Sequence, residues 1–165
     1  MTTMTHSTTL PLFTAEAPMV TIPQYGVRLV KESEFKYFSN KVTGAPAVCD
    51  LLRAIGLDEK ANEEFYSVYL NTKNHVLGIE MISRGTLNSS LVHPREVFKG
   101  ALLANANSII LAHNHPSGSV EPSVADRSVT KILANAGNLL DVKVLDHVII
   151  GSKGGFFSFA ESGLL

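Results

Sequence analysis

The stretch from His113 to Asp126 constrains this chain more than any other part of the sequence. It reads His-Asn-His-Pro-Ser-Gly-Ser-Val-Glu-Pro-Ser-Val-Ala-Asp and follows an apolar run, residues 109–112, that predicts a short buried strand. The two histidines stand at i and i+2, so on an extended strand end both side chains leave from the same face. A proline then ends the strand, and the chain turns through a loop that contains Gly118.

Ser123 is predicted to begin a helix, with Asp126 in its first turn. Two imidazoles and one carboxylate are three of the four tetrahedral ligands of zinc, and an open fourth position distinguishes a catalytic zinc site from a structural one. The stretch therefore predicts a Zn²⁺ site formed by His113, His115 and Asp126, with a metal-bound water as nucleophile. Ser-x-x-Asp is also an ordinary helix capping box, and His-x-His occurs by chance. The combination favours the metal site, and capping does not exclude metal binding.

A family resemblance follows from these residues together with four further segments. His-x-His, seven residues and then Ser-x-x-Asp resembles the JAMM motif of the MPN-type metalloproteases. The wider sequence is similar to the RadC branch of that superfamily over about residues 45 to 165, in Ile82–Asn88, His93–Val97, Ala112–Gly118 and Val144–His147. The chain differs from eukaryotic deubiquitinating members, which have Ser or Thr where Asn114 stands. It also lacks the N-terminal helix-hairpin-helix region of full RadC proteins.

The residues and the resemblance predict the same fold class. Helices are expected from Pro46 to Gly56, from Pro94, and from Ser123 to a C′ residue at Gly137; strands are expected at 65–70, 76–82, 142–150 and 156–159. Alternating strands and helices predict an α/β fold with a mixed sheet flanked by helices. The resemblance implies the JAB/MPN-like, cytidine-deaminase-like sandwich.

The resemblance also implies roles for residues outside the metal motif. The superfamily uses a glutamate shortly before its first core strand as general base, which makes Glu63 or Glu64 the candidate; Phe65 two positions later selects Glu63. Ser123 is the candidate for a hydrogen bond to the oxyanion of the transition state. Asp146 and His147 either orient a ligand histidine from outside the metal's ligand shell or form a polar break in the sheet, and the sequence leaves both alternatives open.

Composition limits the remaining possibilities. Residues 1–23 are Thr- and Pro-rich and predict a flexible tail, 24–44 a lead-in segment, and 45–165 the RadC-like domain. No apolar run is long enough to span a membrane, and no Lys or Arg precedes Arg28, so no secretory signal is recognised. A single cysteine, Cys49, fits a reducing cytoplasm. A formal net charge of −1 argues against direct nucleic-acid binding.

Two functions from different classes remain. The first is a zinc-dependent hydrolase, a metallopeptidase or isopeptidase acting on a peptide or protein substrate. The second is a non-catalytic MPN-like module that binds a protein partner and retains zinc for structure, in a DNA-repair or mobile-element context. An intact ligand set with an upstream glutamate favours the hydrolase, because a scaffold gains nothing from an open coordination position.

Overall fold

The structure, a computed structural model, describes residues 20–85, 92–152 and 154–165. These residues form an α/β fold with an open, mixed five-stranded sheet and three α-helices, as predicted. In chain order the elements are α1 (Ala45–Arg53), a 3₁₀ turn (Leu57–Glu59), β1 (Glu64–Leu70), β2 (Val76–Arg84), α2 (Pro94–Leu103), β3 (Ser108–His115), α3 (Val124–Leu140), β4 (Lys143–Gly151) and β5 (Phe156–Ser158).

The sheet places β3 at its centre, in the order β2-β1-β3-β4-β5. β1 pairs antiparallel with both β2 and β3, β3 and β4 run parallel, and β5 returns antiparallel to β4. The parallel pair is joined through α3, the crossover helix that such a connection requires. The carboxyl end of β3 and the amino end of α3 consequently lie at the same edge of the sheet, where the His-x-His and Ser-x-x-Asp segments meet.

Two apolar cores cover the two faces of the sheet. One packs α1 against the sheet and includes Val48, Leu52, Val68, Ile110 and Val148. The other packs α2 and α3 against the opposite face and includes Phe65, Phe98, Ile109, Leu111 and Leu133. Successive side chains of a strand alternate between faces. His113 therefore follows Ile109 and Leu111 toward α3, whereas Asn114 follows Ile110 and Ala112 toward the α1 side.

Helix ends follow local sequence signals in all but one case. α1 has a proline in its first turn and is followed by Gly56, which adopts the left-handed conformation with φ 75°. α2 likewise begins at Pro94. α3 begins after Ser123, and serine and Asp126 form the predicted capping box.

The predicted end of α3 at Gly137 was wrong, because the helix continues to Leu140 and ends at Asp141 in the left-handed conformation. Gly137 is buried inside the helix. A Cβ atom at this position would lie 2.5 Å from the carbonyl oxygen of Val142 and 3.2 Å from Cζ of Phe98. Glycine is needed here for close packing rather than for a helix end.

Residues 20–44, the described part of the chain before α1, contain little regular structure. Of the predicted tail, 1–23, residues 1–19 lie outside the described residues. Residues 20–23 are exposed. In the lead-in segment, Lys41 forms an isolated antiparallel bridge with His75, and Val42 is the first buried apolar residue. Within the described part of the chain, no helix is long and apolar enough to cross a membrane.

Candidate metal centre

The two predicted histidine ligands meet at the carboxyl end of β3. Nε2 of His113 lies 3.1 Å from Nε2 of His115, so the two rings direct the same nitrogen toward one point. His113 is fully buried, whereas the side chain of His115 is 16% exposed. The pair therefore lies at the boundary between the core and solvent.

Asp126 supplies the carboxylate from the first turn of α3. Its Oδ1 lies 3.3 Å from Nε2 of His113 and its Oδ2 lies 3.7 Å from Nε2 of His115. The same Oδ2 accepts hydrogen bonds from the backbone N–H and the hydroxyl of Ser123, at 2.7 and 2.6 Å. Burial alone would raise the pKa of Asp126, but the hydrogen bonds with the two histidines outweigh burial and lower that pKa far below its ordinary value. The carboxylate is therefore ionised.

A hydrogen-bond chain behind His113 determines which of its nitrogens carries the proton. The Thr130 hydroxyl donates to the backbone oxygen of Asp126 at 2.5 Å, so its oxygen accepts from Nδ1–H of His147 at 2.6 Å. Burial lowers the pKa of His147 well below its ordinary value, so this ring is neutral and its Nε2 has a lone pair. His147 Nε2 lies 2.8 Å from Nδ1 of His113 and accepts a hydrogen bond from its N–H. In its neutral form, His113 therefore presents an unprotonated Nε2 to the site.

A single hydrogen bond orients the ring of His115. Its Nδ1 lies 2.8 Å from the carbonyl oxygen of Ser119, which only accepts, so Nδ1 carries a proton. The neutral ring then also presents an unprotonated Nε2 to the site. The hydrogen bond with Asp126 is the main cause that raises the pKa of His115, so protons compete with a metal ion for this nitrogen.

This donor set fits a divalent cation. When both rings are neutral, two lone pairs and an anionic oxygen face one another at 3.1 to 3.7 Å, an arrangement that is repulsive unless a proton or a metal ion supplies positive charge. Zinc bonds of about 2.0–2.2 Å place tetrahedral ligand atoms about 3.3–3.6 Å apart. The observed separations of 3.1, 3.3 and 3.7 Å lie close to that spacing, so the ring nitrogens and the carboxylate would hold the ion with small adjustments.

Glu63 is the fourth member of the cluster, and the structure brings it to the histidines. Its Oε1 lies 3.8 Å from Nε2 of His113 and 4.0 Å from Nε2 of His115, and one donor atom from each of the four residues lies within 4.8 Å of the others. Glu64 is directed elsewhere: its buried carboxylate pairs with Arg84 at 2.7 Å and accepts from the Tyr66 hydroxyl at 2.9 Å. Of the two glutamates, Glu63 is therefore the one whose carboxylate lies beside the histidines.

The remaining predicted residues are divided between the site and the opposite face. Ser123 adjoins the site through Asp126, to which its hydroxyl donates. His147 contacts His113 directly. Asp146 does not reach the site, because its side chain follows the other face of β4 and accepts from Ser158 Oγ at 2.7 Å and from the Ala160 N–H at 3.0 Å. His147 therefore contacts a predicted ligand histidine, whereas Asp146 hydrogen-bonds with residues at and after the end of β5.

Sequence reasoning missed two residues around the site. Thr130 is 1% exposed and lies four positions after Asp126, on the same face of α3; a polar side chain within the apolar stripe of a helix was the available signal. Asn114 contacts the segment that leads into β1, and spacing gave no indication of that contact, because its partners lie 50 to 54 positions earlier.

Comparisons with known proteins place the whole domain in one family. Residues 42–164 match the family described as the RadC-like JAB domain. The UPF0758 protein of Chlorobaculum parvum is 46% identical over 130 residues, covering 79% of this chain and 58% of that protein. The corresponding protein of Rubrobacter xylanophilus is 53% identical over 124 residues, covering 75% and 54%.

The UPF0758 protein of Caldanaerobacter subterraneus subsp. tengcongensis is 49% identical over 140 residues, which are 85% of this chain and 58% of that protein. The chain thus spans little more than half the length of the curated relatives it matches. The matched region nevertheless contains every residue of the candidate metal centre. On the extent of the family match and the identity to these relatives, the chain belongs to the RadC-like JAB domain family.

Proposed function

We propose that this chain is a zinc-dependent hydrolase that cuts an amide or isopeptide bond in a peptide or protein. The observation that favours this function is the convergence of two histidine Nε2 atoms and the Asp126 carboxylate, with the Glu63 carboxylate beside them. A divalent metal ion held by such a set polarises a water molecule and lowers its pKa. Zinc is the ion we propose, since two imidazoles and a carboxylate are a common catalytic zinc ligand set.

Glu63 is proposed as the general base. Its side chain is 20% exposed, and its Oε1 lies slightly farther from the histidines than they lie from each other. A carboxylate in that position accepts a proton from an attacking water and returns it to the leaving amine. Ser123 is proposed to donate a hydrogen bond to the oxyanion, worth about 3 kcal/mol. Its hydroxyl must then rotate away from Asp126, to which it donates in this structure.

The alternative function is a protein-interaction module with a structural zinc ion. A structural site is closed by four protein ligands, and Glu63 would have to be the fourth. Its distances of 3.8 and 4.0 Å to the histidine nitrogens exceed the 3.3 and 3.7 Å between the Asp126 oxygens and the same nitrogens, which favours a role beside the metal rather than on it. We also propose a cytoplasmic location. The free, buried Cys49 is compatible with it, and burial raises the pKa of its thiol to about 12.

The test compares Glu63→Gln with Glu64→Gln in zinc-loaded protein. Each change keeps the size of the side chain and removes its capacity to accept a proton. Glu63→Gln should retain zinc and lose at least about 10²-fold in kcat, the usual cost of losing a general base. Glu64→Gln should retain turnover, because its carboxylate is directed to Arg84 and Tyr66.

The assay requires a library of peptides and isopeptide-linked peptides, screened first with wild-type protein. Loss of zinc in Glu63→Gln would make Glu63 a ligand and favour the structural alternative. Full activity in both variants would place the base elsewhere. If zinc-loaded wild-type protein turns over no member of a broad library, the hydrolase proposal fails.

A further inference from the structure

Asn114 stands between the two histidines in sequence, but its side chain hydrogen-bonds with residues 60–64 instead. It is 1% exposed and lies on the α1 side of β3, where the chain between the 3₁₀ turn and β1 passes. A buried amide costs free energy unless its polar atoms are paired. The partners of Asn114 therefore indicate why an amide is present at this position.

The Asn114 side chain makes three hydrogen bonds to one short backbone segment. Its Oδ1 accepts from the Glu64 N–H at 2.7 Å, and its Nδ2 donates to the carbonyl oxygens of Asn62 at 3.1 Å and Lys60 at 3.3 Å. A backbone N–H only donates and a carbonyl only accepts, so these partners also fix which end of the amide is oxygen. Both donor hydrogens and the acceptor are used, and Glu63 lies within the bracketed segment.

The segment leads directly into the ladder between β1 and β3. That ladder begins at Phe65, opposite His113. On the other side, the Gly85 N–H donates to the Glu63 carbonyl at 2.8 Å and connects the segment to the end of β2. The three hydrogen bonds of the Asn114 amide connect the segment to β3 at the position where the Glu63 side chain approaches the histidines.

We propose that Asn114 is a positioning residue that holds Glu63 at its distance from the two histidines. This inference rests on the proposed function in that it takes Glu63 as the general base. A serine or threonine at this position could not make the same set of hydrogen bonds. A single hydroxyl has one proton and a shorter reach, so it cannot donate to two carbonyls while accepting from a third group.

The test uses Asn114→Ala, with Ser158→Ala as a matched control. Ser158 is also buried and its hydroxyl also makes a structural hydrogen bond, but to Asp146 on the far side of β4. Asn114→Ala should keep the zinc affinity of the wild type, because the ligands are unchanged. Its kcat should fall roughly 10- to 100-fold with KM little changed, since an error of about 1 Å in the position of a catalytic group costs up to about 10²-fold. Ser158→Ala should keep kcat.

A double-mutant comparison separates positioning from general destabilisation. In a Glu63→Gln background, Asn114→Ala should lower kcat no further, because the group that it positions has already lost its function. An equal fall of kcat in both backgrounds would overturn the proposal.

A readout without substrate keeps this inference separate from the hydrolase proposal. In cobalt-loaded protein, the pseudocontact shifts of the Glu63 and Glu64 amides report the position of the segment relative to the metal. These shifts should change in Asn114→Ala and stay unchanged in Ser158→Ala. If wild-type protein lacks turnover but the shifts change, the hydrolase proposal fails and the positioning role of Asn114 stands. Unchanged shifts in Asn114→Ala would overturn that role whatever the activity.

Discussion

His147 places its Nε2 2.8 Å from Nδ1 of His113, the ring nitrogen that does not face Asp126. Thr130 contacts the other nitrogen of His147 and also the backbone oxygen of Asp126. The chain of hydrogen bonds thus begins at one proposed ligand and ends on the residue that supplies another. It fixes the tautomer and the ring orientation of His113, and it connects β3, β4 and α3 behind the site.

Thr130→Val should weaken metal binding by about 10- to 100-fold, the usual effect of removing a group that orients a ligand histidine. The change preserves side-chain shape but removes the acceptor for Nδ1–H of His147, so His147 no longer has a fixed tautomer. Thr130→Ser keeps the hydroxyl and should bind metal nearly as the wild type does. Competition with a zinc chelator measures both constants. Equal affinity in the valine and wild-type proteins would contradict the proposed chain of proton positions.

Protein purified without added metal should contain one zinc ion per chain, by elemental analysis. His113→Ala, His115→Ala and Asp126→Ala should each lose it, because each removes one of three ligands. His93→Ala is the control, since His93 lies at the start of α2 and its side chain makes no capping bond. Zinc at 100 times its dissociation constant should stabilise the wild type by about 2.7 kcal/mol and raise its Tm.

Iron in place of zinc would contradict the choice of metal, because two histidines and one carboxylate also bind Fe(II) in non-haem oxygenases. Metal content that survives all three ligand changes would contradict the site itself. Elemental analysis distinguishes these outcomes without any assay of activity.

The predictable parts of the site are those whose geometry is local. His113 and His115 share a face because strands alternate, and Asp126 follows Ser123 at the spacing of a capping box, so the sequence sufficed for all three. Glu63 required the family resemblance, since an acid pair before a strand is by itself an ordinary surface feature. The partners of Asn114 and His147 come from distant parts of the chain, and only the fold brings them together.

The misplaced end of α3 has the same cause. Glycine near the end of a periodic helix pattern predicts a C′ residue, and Gly137 fits that pattern locally. Its actual role depends on Val142 and Phe98, which approach the helix too closely for a side chain. Close packing against Val142 and Phe98 therefore accounts for the glycine, and the helix ends instead at Asp141.

Gly137→Ala should lower the free energy of unfolding, although alanine is the better helix former. Alanine gains up to about 1 kcal/mol of helix propensity. Overpacking a close contact costs about 1–3 kcal/mol, and the contact here includes a backbone oxygen that cannot rotate away. The exposed neighbour Asn138 is the control, since Asn138→Ala gains propensity without a clash. Urea unfolding measures both; a stabilised Gly137→Ala would mean that the helix and Val142 are farther apart in solution.

Removal of residues 1–22 should leave the stability of the domain unchanged, whereas removal of residues 1–44 should not. The structured domain depends on the end of the lead-in segment: the Val76 N–H donates to the Asn40 carbonyl at 2.7 Å, and the Val42 N–H donates to the Asn74 carbonyl at 2.9 Å. Val42 is 7% exposed and packs with the α1 core, and burying such a side chain contributes about 1.5–3 kcal/mol.

The melting temperatures of the two truncated proteins test whether each removed segment contributes to stability. The shorter truncation should change Tm by less than about 2 °C, and the longer one should lower it by several degrees, since each kcal/mol shifts Tm by about 2–4 °C in a chain of this size. An equally large drop in both proteins would mean that residues 1–22 pack onto the domain. An unchanged Tm in both truncated proteins would mean that the stable domain begins at Ala45 and does not depend on the lead-in segment.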